Sequence, residues 1–149
     1  MHEYLHGKRP SIDGIVLGFD FGTRQIGVAT SQWSTGFASP LVTIQAKDGI
    51  PNNKSIDEIV SEWQPHLIVV GLPLNMDDSE TELTPRARKF ARRLAQTYNV
   101  CTILVDERLT TRDAYNIASN NEPGKVDAVA AALIIETWLN SADGKWPPV

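Results

Sequence analysis

Five residues in the middle of the chain, "LIVVG" at 67–71, restrict its fold more than any other stretch. The run is apolar and β-branched with no alternation, so it predicts a strand covered on both faces in a partly parallel sheet. Helices must then lie on both sides of that sheet, the layered plan of an α/β domain. A second run of the same kind, "CTILV" from Cys101, ends in Asp106 and Glu107.

The rest of the chain supplies the other layers. "GIVLGFDFGTRQIGVATS" predicts strands over 14–20 and 26–31, joined by a tight turn in which Gly22 provides backbone freedom. A third strand over 38–44 completes an antiparallel meander. "NNKSIDEIVSEWQP" spaces Ile56, Ile59, Val60 and Trp63 as one helix face, and Pro65 closes the helix. Thr84 as N-cap and Pro85 at the first helical position start a helix over 84–97, with a core stripe of Ala87, Phe90, Ala91 and Leu94. The loop before it, "LPLNMDDSETEL", reads as mobile and solvated. A short helix is expected in 110–119, and "VDAVAAALIIETWLN" is the last helix. The order β-β-β-α-β-α-β-α-α around a mixed five-stranded sheet is a ribonuclease-H-like α/β layout. The 149 residues suit one domain, with 1–13 as a flexible extension and 141–149 as a flexible tail.

Several classes drop out. The longest apolar runs are far short of the ~20 residues of a membrane helix, and no signal-peptide core precedes Asp20, which points to the cytoplasm. Cys101 is the only cysteine, so one chain forms no disulfide and no cysteine-based zinc site; a small buried hydrophobe is its expected role. His2, His6 and His66 are scattered. A formal charge of -4 argues against nucleic-acid binding by bulk positive field, so such a partner needs a local patch or metal ions. Trp63 and Trp138 lie on helical core faces and read as packing groups.

Three acids sit where apolar structure stops or should continue: Asp20 at the end of the first strand, Asp106 or Glu107 past the last, and Asp127 at the start of the last helix. If the two strands are neighbours and the helix packs across them, the carboxylates converge. Such a cluster repels itself unless a cation neutralises it, and hard oxygen ligands suit Mg²⁺ or Mn²⁺. Two such ions activate water and steady the leaving oxygen in phosphodiester cleavage. Each acid also has a plainer reading. On it, Asp20 caps its own turn, Asp106 or Glu107 pairs Arg108 or Arg112, and Asp127 caps its helix. Asp127 nevertheless shares a side with Ala131, Ile134 and Trp138, which favours an inward position. Strand alternation turns Asp106 and Glu107 to opposite faces, so only one of them can join Asp20. "DFGT" is also compatible with a phosphate-binding turn of actin-like ATPases, with Gly22 allowing close approach and Thr23 donating; those enzymes need two lobes, and this chain has room for one.

The helix over 84–97 carries Arg86, Arg88, Lys89, Arg92 and Arg93 and no acid. The array is suited to neutralising phosphates, or else it is a solvated face paired with the acidic loop before it. Arg24, Arg108, Arg112 and Lys125 lie beside the acidic motifs and are candidates to offset charge on a scissile phosphate.

Four blocks in order, "LGFDFGTRQIGVA", "IVVGLPLNMDDSETELTPRARKFARRL", "VDERLTT" and "KVDAVAAALIIE", resemble the YqgF/RuvX family, bacterial ribonuclease-H-like proteins regarded as Holliday junction resolvases and as nucleases maturing the 5′ end of pre-16S ribosomal RNA. The resemblance implies Asp20, Glu107 and Asp127 as the metal-binding catalytic acids, so it selects Glu107 over Asp106. It implies a Mg²⁺- or Mn²⁺-dependent nuclease acting on precursor ribosomal RNA, with branched DNA as second substrate, as a monomer or homodimer. A non-catalytic RNA-binding module with the same fold is the competing class. "RDAYNIASNNEPGK" is shorter than is usual for the family.

Overall fold

The computed structural model describes the backbone of residues 3–4 and then residues 14–106 and 126–141. In chain order the elements are β1 (Glu3–Tyr4), β2 (Ile15–Asp20), β3 (Gln25–Gln32), a 3-10 turn (Trp33–Thr35), β4 (Ala38–Lys47), β5 (Ile50–Pro51), α1 (Asn53–Trp63), β6 (Leu67–Leu72), α2 (Thr84–Tyr98), β7 (Cys101–Asp106) and α3 (Val126–Leu139). The strands form one mixed sheet in the order β1-β7-β6-β2-β3-β4-β5.

The five expected strands are its long members. The two additional strands span two residues each at the sheet edges, too short to carry a periodicity. β1 lies inside the segment expected to be a loose extension, yet Glu3 and Tyr4 pair antiparallel with Leu104 and Ile103. The helix expected in 110–119 and the tail beyond residue 141 lie outside the described residues.

Alternation divides the strands between two cores. Leu17, Phe19, Ile26, Val28, Ile44, Ile68, Val70 and Leu104 face α1 and α2, while Val16, Ala29, Leu67, Val69, Cys101, Ile103 and Val105 face α3. β6 is buried along its whole length, as expected of a strand covered on both sides. Cys101 belongs to the α3 core, as its residue type suggests. Trp138 is fully buried with its ring 5.3 Å from that of Trp33, a packing role, and Trp63 is partly buried against the α1/α2 core.

Thr84 differs from the N-cap expectation. It is the first residue of α2, and its buried hydroxyl donates to the Pro73 carbonyl while accepting from the Thr81 N–H at 2.8 Å. The loop before it is exposed but folded on itself, with Leu74 bridging Glu80 and the Asp77 carboxylate capping the Ser79 N–H at 3.0 Å. Thr84→Val keeps the volume and strips both bonds from buried groups. It is expected to cost about 1–3 kcal/mol, read as a lowered urea midpoint with unchanged slope.

No helix among the described residues is long and apolar enough to cross a membrane.

Candidate active site

β2 delivers Asp20 to a place where only 8% of it is exposed. Val16 and Gly18 face α3, and the two-residue repeat of a strand puts Asp20 on that face with them. Asp20 lies directly across from Gly27 of β3, which in turn pairs with Thr43 of β4.

Gly27 explains how the last helix arrives at the same spot. A Cβ there would fall inside the Asp127 carbonyl group and 2.8 Å from the Ala128 nitrogen. The first turn of α3 therefore rests its backbone on Gly27, the cross-strand neighbour of Asp20. A similar contact occurs at Gly18, whose Cβ would overlap Ile135 and approach the Ala131 carbonyl oxygen to 3.1 Å. Both glycines are small so that an almost wholly apolar helix can lie close on the strands.

The backbone of Asp127 is thus held against the cross-strand neighbour of Asp20, and burial pushes the Asp127 carboxyl above the ordinary carboxylate value. The Thr43 hydroxyl, in the same cross-strand row, is buried with no hydrogen-bond partner among the described residues. An interior glycine in a strand signals close backbone approach, which is how "QIGVA" marks Gly27. Nothing in the sequence singles out Thr43.

Asp106 is turned the other way. It pairs with Leu72, a member of the α1/α2 core, and follows Val105, which faces α3. Glu107, Arg108, Arg112 and Lys125 lie outside the described residues. The two strands are not neighbours: β6 separates β2 from β7, so two strand spacings, about 10 Å, part their backbones. Among the described residues no three metal-ligating side chains cluster.

The turn after Asp20 is built as expected around Gly22, where a Cβ would stand 2.5 Å from the Gln25 carbonyl oxygen. Its backbone is braced by the β4–β5 hairpin: the Gly49 N–H donates to the Thr23 carbonyl and the Ala46 N–H to the Arg24 carbonyl, each at 2.8 Å. Arg24 is exposed at this end of the sheet.

The cations of α2 lie on the opposite side of the sheet from Asp20 and Asp127, since α2 packs through Ala87, Phe90, Ala91 and Leu94 into the other core. Arg86 donates to the Asp48 carbonyl at 2.6 Å and pairs its carboxylate at 3.0 Å, and Arg88 pairs Glu80 at 2.6 Å. Lys89, Arg92 and Arg93 are exposed.

The raised Asp127 carboxyl gives a pH signature. Its contribution to stability is whole below the ordinary value of 3.8 and is lost as pH climbs through the folded value, so at neutral pH the ionised group opposes folding. In metal-free protein, Asp127→Asn is expected to raise Tm by a few degrees at pH 7.5, a gap that closes as pH falls toward 4 in a thermal-melt series.

The family model described as "RuvX: Holliday junction resolvase" matches residues 14–141. The chain belongs to this family. Among its relatives, a protein of Acinetobacter baylyi named "Putative pre-16S rRNA nuclease" is 48% identical over 139 residues, covering 89% of this chain and 95% of the relative. One of the same name from Shewanella oneidensis is 52% identical over 135 residues, covering 87% and 96%. In fold, the chain is similar to Thermus thermophilus RuvC in complex with a Holliday junction substrate, with TM-score 0.52 and 14% identity over 87% of this chain and 97% of that one. The fowlpox virus Holliday junction resolvase gives TM-score 0.51 and 10% identity, over 84% and 96%. The ribonuclease-H-like architecture expected from the element order is therefore the observed one.

Proposed function

We propose that this RuvX-family protein is a metal-dependent nuclease of the cytoplasm that processes the 5′ end of pre-16S ribosomal RNA, with Asp20, Glu107 and Asp127 as its catalytic acids. One observation carries the reading: the helix bearing Asp127 is docked, through Gly27, onto the strand position that faces Asp20. Asp20 is buried at the end of β2, and burial also opposes the ionisation of Asp127; two such carboxylates brought together would repel unless a cation neutralised them.

This donor set fits Mg²⁺ or Mn²⁺, since both groups are hard oxygen ligands and no softer side chain accompanies them among the described residues. Asp20 and Asp127 would hold the ions. Glu107 would complete the set, a role favoured by the family match and by Asp106 facing away. When bound, two such ions supply an activated water and charge neutralisation for in-line displacement at phosphorus. The chain itself orients the carboxylates through the rigid ends of β2 and α3, and excludes solvent from one side of them with the α3 core. Arg24, Arg108, Arg112 and Lys125 would offset charge on the scissile phosphate, and the Gly22–Thr23 turn would approach it by backbone.

Cleavage of branched DNA is the second reading, favoured by the description of the family itself. Symmetric resolution of a junction needs a homodimer, whereas trimming RNA is open to a monomer. Labelled precursor RNA and a labelled four-way junction, each incubated with and without Mn²⁺, separate the two. Cleavage of the RNA that stops with EDTA is the expected result. Cutting of the junction alone would move the assignment to DNA. Binding of RNA with no cleavage of either substrate would leave a non-catalytic RNA-binding module.

A further inference from the structure

The cations of α2 fall in two stripes, Arg86, Lys89 and Arg93 on one and Arg88 and Arg92 on the other. Arg86, Lys89 and Arg93 border a groove whose opposite wall is the hairpin at Gly49 and Ile50, a depression of about 310 Å³. At Arg93 it runs into a second depression of about 300 Å³, between α2 and the start of α1. Phe21 and Phe90, 5.2 Å apart, form the buried floor. Ile50 is exposed at the rim.

The charges in the groove are unequal in availability. Arg86 is committed to Asp48. The acid of the second depression, Asp57, accepts from the Tyr98 hydroxyl at 2.5 Å, and burial, reinforced by this carboxylate, pushes the phenol well above its usual range. Lys89 and Arg93, four residues apart and so adjacent on the helix surface, form no ion pair among the described residues. In a chain of net charge -4, two cations left open at the junction of two depressions make a local anion surface.

We propose that this groove is a second contact for the nucleic acid, gripping phosphates of a segment that is not cut. Resting on the nuclease reading above, it adds where the substrate runs. Phe21 follows Asp20 directly and faces the other way, so the groove and the acids stand back to back across one layer of sheet. A substrate touching both passes around the carboxyl end of β2, which requires a folded or branched nucleic acid rather than a short linear strand.

The test is the salt dependence of binding. Full-length protein and the double variant Lys89→Ala/Arg93→Ala are titrated with labelled precursor RNA in EDTA at several salt concentrations, following anisotropy. Both side chains are exposed, and alanine suits a helix, so an unchanged melting curve is the entry condition. Losing two phosphate contacts reduces the magnitude of the negative slope of log K against log [salt] by about 1.4 to 1.8 and weakens binding about tenfold at low salt. A slope equal to that of the parent protein overturns the proposal and assigns the groove to a protein partner. The outcome is separable from the nuclease reading. A fallen slope in a protein that never cleaves keeps the groove and removes the nuclease; normal cleavage with an unchanged slope does the reverse.

Discussion

Asp20→Asn is expected to lower the rate of RNA cleavage about a thousandfold, equivalent to ~4 kcal/mol of transition-state stabilisation, while leaving RNA affinity in EDTA unchanged. The amide keeps the shape of the carboxylate, so the buried end of β2 and its pairing with Gly27 stay intact. What disappears, on the proposed mechanism, is one of the negative ligands that would hold divalent cations. Single-turnover cleavage at saturating RNA isolates the chemical step, and raising Mn²⁺ should recover only part of the loss, because an amide oxygen is a weaker ligand. Cleavage at the parental rate would show that Asp20 is not part of the catalytic machinery, whatever the protein does to RNA.

Gly27→Ala is expected to damage both fold and activity. A methyl group on Gly27 has no room beneath the Asp127 carbonyl group, so the first turn of α3 must lift or β3 must sink. Overpacking of this kind costs about 3 kcal/mol, which lowers Tm by roughly 10 °C in a chain of this size. Protein that remains folded should cleave poorly even at low temperature, since lifting the turn moves Asp127 away from Asp20. Gly36→Ala is the informative comparison. Gly36 has a left-handed φ of 75° but open space around its missing side chain, its nearest neighbour being Asn140 Oδ1 at 3.9 Å. It should cost only about 1 kcal/mol of backbone strain and leave cleavage intact.

These two residues also mark how far local reading reaches. Asp20 stands out because a charge at the end of an apolar strand conflicts with its surroundings, and the helix stripe through Ala131, Ile134 and Trp138 turns Asp127 inward. The central strand follows from the unbroken apolar run "LIVVG", α1 and α2 from the helical spacing of "IDEIVSEW" and "RARKFARRL", and α3 from the apolar length of "VDAVAAALIIETWL", because burial on two faces or on one is written directly in which residues are apolar. Sheet order is not written that way. β6 comes between β2 and β7 because the two crossovers carry the chain from β5 to β6 and then from β6 to β7, and single-strand patterns hold no record of neighbours. Partners at the tips of side chains are equally silent. The engagement of Arg86 by Asp48 depends on a hairpin built thirty-eight residues earlier in the chain, and Thr84 caps a loop rather than its own helix because Pro73 happens to lie within reach.

Because α3 both fills one of the two cores and carries Asp127, the proposed nuclease would stay inactive until that helix has docked. A growing polypeptide that has emerged only through β7 already possesses Asp20, but the partner carboxylate is still being synthesised and the sheet surface meant for the last helix is bare. On the proposed assignment, cutting power would arrive in a single late step, when α3 seats on its two glycines. For an enzyme proposed to trim RNA of the machine that makes it, that delay separates its own birth from its first turnover.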